Sequence, residues 1–222
     1  MIKITVSDDF ADAGIRVSLG CIQCSVKVEK KNHALHAELD RAEAERLKTL
    51  EGPASEVPQI AAARRAYRAF GKDPARYRIS SEALMRRLVK GQGIYRINTA
   101  VDTNNLISLR SGHSVGAFKA EVLEPPILFR KAGPSETYTA IGRGPMNLEN
   151  LPVFADSHGP FGSPTSDSER SMITLDTATL LLVIIAFGEE DDLAGLVNWA
   201  VRKLTDYCGA HAIETALIGT GY

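Results

Sequence analysis

The sequence predicts an α+β fold of mixed and antiparallel strands flanked by amphipathic helices. Three observations predict it. Short alternating segments punctuated by Gly-Pro pairs fill residues 127–155, a spacing typical of antiparallel structure. The apolar run at residues 177–187 has the length and composition of a strand buried on both faces. Stretches at residues 33–50, 57–70 and 80–90 repeat apolar side chains at helical spacing.

Taken in order, residues 2–6 alternate apolar and polar side chains, and after Asp8 and Asp9 so do residues 15–18 and 22–28, which reads as two or three strands. Asn32 is placed to cap a helix over residues 33–50 with Leu35, Leu39, Ala42 and Leu50 on one face, ended by Gly52-Pro53. Residues 57–70 form a second helix that turns Ile60, Ala63, Tyr67 and Phe70 inward and stops at Gly71 and Pro74. Ser80 and Ser81 are natural caps for a third. It sets Ala83, Leu84, Leu88 and Val89 on one side and Arg86, Arg87 and Lys90 on the other, before Gly91 and Gly93 stop it. Residues 94–97 alternate like a strand. Asp102 then stands where it can cap a helix over residues 103–110, ended by Gly112. That puts Asn104 and Asn105 in a first turn, where two amides can orient a carbonyl, a water or an anion, or only satisfy local backbone. Residues 127–131, 138–141 and 153–155 follow as short strands. Asp191-Asp192 start a last helix in which Leu193, Leu196, Val197, Ala200, Val201 and Leu204 recur around Trp199. The tail after Cys208 carries no readable pattern.

At 222 residues and 44% hydrophobic composition, with a mean hydropathy of -0.09, the chain suits one domain. Its parts would be N-terminal strands and helices at 1–74, a core at 75–187, and a C-terminal helix and tail at 188–222. The apolar run at 180–187 is too short to span a bilayer, and Met1-Ile2-Lys3 leads into a strand rather than a signal peptide. A cytoplasmic protein without membrane contact is expected, and its three cysteines are expected to be reduced. A net charge of -1 conceals an asymmetry: residues 64–96 hold ten Lys or Arg against Asp73 and Glu82, net +8, which leaves -9 elsewhere. Such a stretch suits a polyanion, or is an ordinary solvated face.

Cys21-x-x-Cys24 with His33 and His36 has a zinc-like spacing, but a strand would point the two thiols in different directions, so no metal is expected. Asp156, Ser157 and His158 are adjacent and cannot stack nucleophile, base and orienter in line. Cys208 with His211 lacks an orienting third group. Glycines 142, 144, 159 and 162 form neither a phosphate loop nor a dinucleotide fingerprint, so no nucleotide cofactor is implied. Residues 156–171 make a polar, breaker-rich loop in which Glu169 can take a proton from water, hold an ammonium group, or merely be solvated.

The run YRINTAVDTNNLISLRSGHSVGAF at 95–118 resembles the R-x-I-N-x-x-V-D-x-x-N helix and the G-x-x-x-x-A-F turn after it in the tRNA-binding and editing (B3/4) domain of the bacterial phenylalanyl-tRNA synthetase β subunit. RYRISSEALMRR at 76–87 is similar to a stretch of the free-standing relatives. VFADSHGPF and DSERSMIT, at 153–161 and 167–174, resemble the family's V-x-A-D-x-x-G strand-loop and glutamate-bearing segment. The resemblance implies a mixed/antiparallel β-sandwich flanked by helices. It also implies metal-independent hydrolysis of a mischarged aminoacyl-tRNA, acting in trans on the acceptor end of tRNA.

Carried over by position, Glu169 and Asn105 would be catalytic. Asn104, Gly116, Ala117, Phe118 and Asp156 would contact substrate, and Arg86, Arg87, Lys90 and Arg96 would receive phosphates. At Gly116 the chain offers only backbone where the family has a histidine, and its glutamate loop is slightly shorter. Adenylate-forming motifs and an anticodon-binding domain are missing from these residues, so the chain is not a complete synthetase. The rival expectations are a non-catalytic pocket for a free amino acid or similar metabolite, with residues 156–171 as its lid, and a purely structural module.

Overall fold

In a computed structural model, which describes residues 1–189 and 192–220, two four-stranded sheets face each other and helices cover the outside of one. The chain opens with β1 (Ile4–Val6), the single-turn α1 (Asp9–Asp12) and β2 (Val17–Ser25). Helices α2 (His33–Thr49), α3 (Pro58–Ala69), α4 (Ser80–Val89) and α5 (Thr99–Ser111) follow. Next come β3 (Ser114–Lys119), β4 (Ile127–Lys131), β5 (Thr137–Ala140), β6 (Gly144–Asn147), β7 (Pro152–Asp156), β8 (Gly159–Gly162) and β9 (Thr179–Phe187). Helix α6 (Leu193–Cys208) and β10 (His211–Gly219) come last.

One sheet has the order β1-β4-β7-β8, with β1 parallel to β4 and its other pairs antiparallel; the second, β10-β2-β9-β3, is antiparallel throughout. Strands β5 and β6 form a separate hairpin. The α+β prediction of mixed and antiparallel sheets with flanking helices therefore holds. Strand β9 is apolar at successive positions because each face has a core to fill. Leu181, Val183 and Ile185 enter the layer between the sheets, where Phe129 and Phe154 stack at 4.3 Å, while Leu180, Leu182 and Ile184 pack beneath α5 and α6.

Several expectations change. Residues 15–18 and 22–28 are not separate strands, since β9 offers β2 one unbroken antiparallel partner from Val17↔Phe187 to Ser25↔Thr179. Neither Ser80 nor Ser81 caps α4. Ile79 holds that position, and the Ser80 amide donates to the Pro164 carbonyl at 2.7 Å. The buried side of α4 carries Ser81, Glu82, Met85 and Leu88, whereas Val89 is 58% exposed. A charge can face inward there because the Arg64 guanidinium meets the Glu82 carboxylate at 2.7 Å.

Residues 94–97 are not a strand: no neighbouring strand pairs with them, and the Ile97 amide donates to Asp102 at 2.8 Å. Helix α5 starts earlier than expected, capped by Asn98, whose side chain accepts from the Val101 amide at 2.9 Å. Asp102 is buried inside the helix beside His36, at 3.1 Å, and Asn104 and Asn105 fall beyond its first turn. The unread tail adds β10 to the edge of β2. Asp192 caps α6 through the Gly195 amide at 2.9 Å, while Asp191 lies outside the described residues. Cys21 and Cys24 enter different cores, and burial pushes both thiols up to about 12. No described helix is long and apolar enough to cross a membrane.

Candidate functional site

A cavity of about 190 Å³ opens where α4, α5 and β3 meet the loop that follows β8. Asn104, Asn105 and Ser108 are spaced to share one face of α5, and this polar face lines the cavity. Ser80, Ala83 and Leu84 of α4 form the next wall, Arg143 from the β5-β6 turn stands at the cavity, and Asp167 comes from the loop.

Two oxygens in this wall, Asn104 Oδ1 and Asp167 Oδ1, are buried without a hydrogen-bond partner. Buried acceptors are rarely left that way in folded proteins. Burial pushes the Asp167 carboxyl up to about 7, against the pull of the Ser163 and Ala117 backbone amides. A carboxyl poised there can take and return a proton near neutral pH.

The loop carrying Asp167 is pinned. The Tyr138 hydroxyl donates to Ser163 Oγ at 2.9 Å, and Tyr67 pairs with Thr165 Oγ1 at 2.9 Å. Burial raises the pKa of both phenols, so they stay neutral. The Asp167 carbonyl accepts from the Ile141 amide at 3.0 Å. Residues 156–171 are not one continuous loop: they contain β8 and a 3-10 turn at Glu169–Ser171, and residues 163 and 165–167 between them line the cavity.

Of the residues singled out from sequence, only Asn104 and Asn105 line this cavity. Glu169 is exposed in the 3-10 turn, two positions after the carboxylate that does line it. Asp156 is held by Arg170 at 2.9 and 3.0 Å. Burial works against its charge, but Arg170 and the Glu124 and His158 amides keep its carboxyl below the usual range.

Gly116 lies in strand β3, not in a turn. A Cβ at that position would sit 2.5 Å from Phe118 Cζ, and the same ring approaches Gly162, where a Cβ would sit 2.3 Å from Phe118 Cε1. The ring occupies the space a histidine at residue 116 would need. Phe118 itself is wholly buried between the sheets against Phe154 and Phe161, and Ala117 reaches the site only through its backbone amide.

The basic stretch is also divided. Arg96 is engaged by Asp40 at 2.7 Å and Glu43 at 2.8 Å, Arg64 by Glu82, and the buried Lys72 by the Glu149 carbonyl. The Arg87 guanidinium donates to the Gly93 and Gln92 carbonyls at 2.7 and 3.2 Å. Arg86 and Lys90 remain exposed, as do Arg65, Arg68 and Arg76.

Asp167 and Arg143 were missed from sequence. The one signal for Asp167 was the slightly short loop, which shifts the carboxylate's position along DSERS. A larger cavity of about 550 Å³, lined by Val6, Asp8, Arg16 and Thr220 among others, holds none of the unpartnered buried polar atoms found among the described residues.

A family model described as the B3/4 domain matches residues 62–191, a span that contains every residue lining the smaller cavity. Among solved structures, an N-terminal fragment of the phenylalanyl-tRNA synthetase β subunit from Pyrococcus horikoshii is similar at 16% identity and a TM-score of 0.48. The match covers 99% of this chain and 54% of that one, so the chain spans about half the fragment's length. No curated protein matches.

Proposed function

The chain belongs to the B3/4 domain family, and on that premise we propose that the cavity receives the aminoacyl group carried on the 3′ end of tRNA and releases it by hydrolysis. The observation that carries this is the pair of unpartnered oxygens, Asn104 Oδ1 and Asp167 Oδ1, in one cavity. An α-ammonium group brings an N–H donor to Asn104 Oδ1, and the attacking water brings an O–H donor to Asp167.

In this reading the ammonium group docks on Asn104 and the Asn105 amide orients the ester carbonyl or the water. Asp167, whose carboxyl burial pushes up to about 7, takes a proton from the attacking water. The new C–O bond forms a tetrahedral intermediate; the ester C–O bond then breaks, and Asp167 returns its proton to the departing ribose oxygen. In the same reading Arg143 at the cavity and the exposed Arg86 and Lys90 on α4 receive phosphates.

Deacylation of a panel of mischarged tRNAs by the purified chain tests this. At least one should be hydrolysed above the no-protein control, and rates equal to the control for all of them would overturn the reading. A free amino acid is the second reading, favoured by Arg143, whose guanidinium suits a carboxylate as well as a phosphate. Salt separates the two: affinity for tRNA should fall steeply with ionic strength, and affinity for a zwitterion should hardly change.

A further inference from the structure

We propose that Tyr95 and Arg87 form a stacking platform for an unpaired nucleobase, just beyond the cavity on the continuation of its α4 wall. The inference rests on the tRNA reading and adds to it a base contact at a place where the sequence suggested only phosphate contact through Arg87. Ala83 and Leu84 line the cavity, and Arg87 lies four and three residues farther along the same helix, hence on the same face and about 6 Å up its axis.

The guanidinium is fixed. Gly91 and Gly93, at φ of +69° and +63°, fold the chain back so that the Gln92 and Gly93 carbonyls accept from Arg87 Nη2 and Nε. It lies 3.8 Å from the centroid of the Tyr95 ring. That ring is 53% exposed and belongs to none of the three hydrophobic clusters, so packing in the core does not account for it. An aromatic ring backed by an immobilised guanidinium is a flat surface on which any base can stack.

Charge favours RNA over a protein partner at this place. Arg86 and Lys90 are exposed beside Arg87 on α4, Arg96 already engages Asp40 and Glu43, and the other carboxylates that reach these residues, Glu82 at Arg86 and Asp102 at the Ile97 amide, are buried.

The test is titration of the full chain with an unacylated RNA minihelix that ends in an unpaired 3′ strand. Tyr95→Ala should bind roughly tenfold more weakly, as expected for one lost base-aromatic stack, and Tyr95→Phe should restore affinity to within about twofold. Arg87→Lys keeps the charge, so it should weaken binding without changing the salt slope. Wild-type affinity in Tyr95→Ala, or an equal loss toward a blunt duplex, overturns the platform and leaves the cavity reading standing. Self-association of the wild type that Tyr95→Ala abolishes would overturn the assignment to RNA. Deacylation by the wild type, measured separately, decides the reading on which this rests.

Discussion

Asn104 on α5 and Asp167 on the loop after β8 line one cavity, and each carries a buried Oδ1 without a hydrogen-bond partner. A buried acceptor in that state costs about 1–3 kcal/mol. The pair therefore favours any ligand that brings N–H or O–H groups, and the expectations below follow from which side chains hold the two oxygens in place.

Asp167→Asn should lower deacylation by about a hundredfold or more, the usual contribution of a positioned general base. The wild-type rate should climb as pH rises through about 7 and level off above it, because only the ionised carboxylate accepts a proton. A flat pH profile would remove Asp167 from the chemistry.

The same substitution should stabilise the fold above neutrality. The folded carboxyl titrates at about 7, against 3.8 for an unperturbed aspartate, so the folded state binds the proton more tightly and stability falls as pH rises between those values. Asparagine cannot ionise. Thermal melts should place the variant above the wild type on the alkaline side of 7 and bring the two together toward the acid end.

Glu169→Gln should leave deacylation and tRNA affinity within about twofold of wild type, as for most exposed substitutions. Measured beside Asp167→Asn, it decides which carboxylate of DSERS serves the cavity. A loss as large in Glu169→Gln as in Asp167→Asn would contradict the assignment.

Gly116→Ala should cost about 1–3 kcal/mol of stability, because its methyl must displace the Phe118 ring. Gly116→His, which adds a larger side chain at the same place, should cost more rather than raise activity. Denaturant melts check the order: an alanine variant as stable as wild type would mean that the ring yields freely.

Glu82→Gln should destabilise the fold on the order of 3 kcal/mol. Glu82 is 1% exposed and faces Arg64 at 2.7 Å, with Arg78 and Arg86 each at 3.8 Å, so neutralising it leaves clustered guanidinium charge at the base of α4. High salt should shrink the difference between the two melts.

What could be read without coordinates was local or one-dimensional. Asn32 caps α2, Gly112 ends α5, and the run that became β9 is apolar throughout because it is buried on both faces. Each signal lies within a few residues of what it specifies. Errors came where a distant partner overruled the local pattern: Arg64 allowed Glu82 to face inward, Asp102 is buried beside His36 instead of capping a helix, and β2 turned an ambiguous tail into β10.

The sequence by itself determined the α+β class, the order of most helices and strands, and the presence of Asn104 and Asn105 on a helix with a carboxylate in the DSERS segment. Only the tertiary structure decided that the carboxylate is Asp167 and that residue 116 has no room for a side chain. It also decided that Arg96 is neutralised while Arg86 and Lys90 stay exposed. The reason is distance along the chain. Tyr67 and Tyr138 hold the loop from far upstream, and Phe118 fills the space beside both Gly116 and Gly162. Which oxygen ends up buried without a donor depends on those contacts, and no local pattern records them.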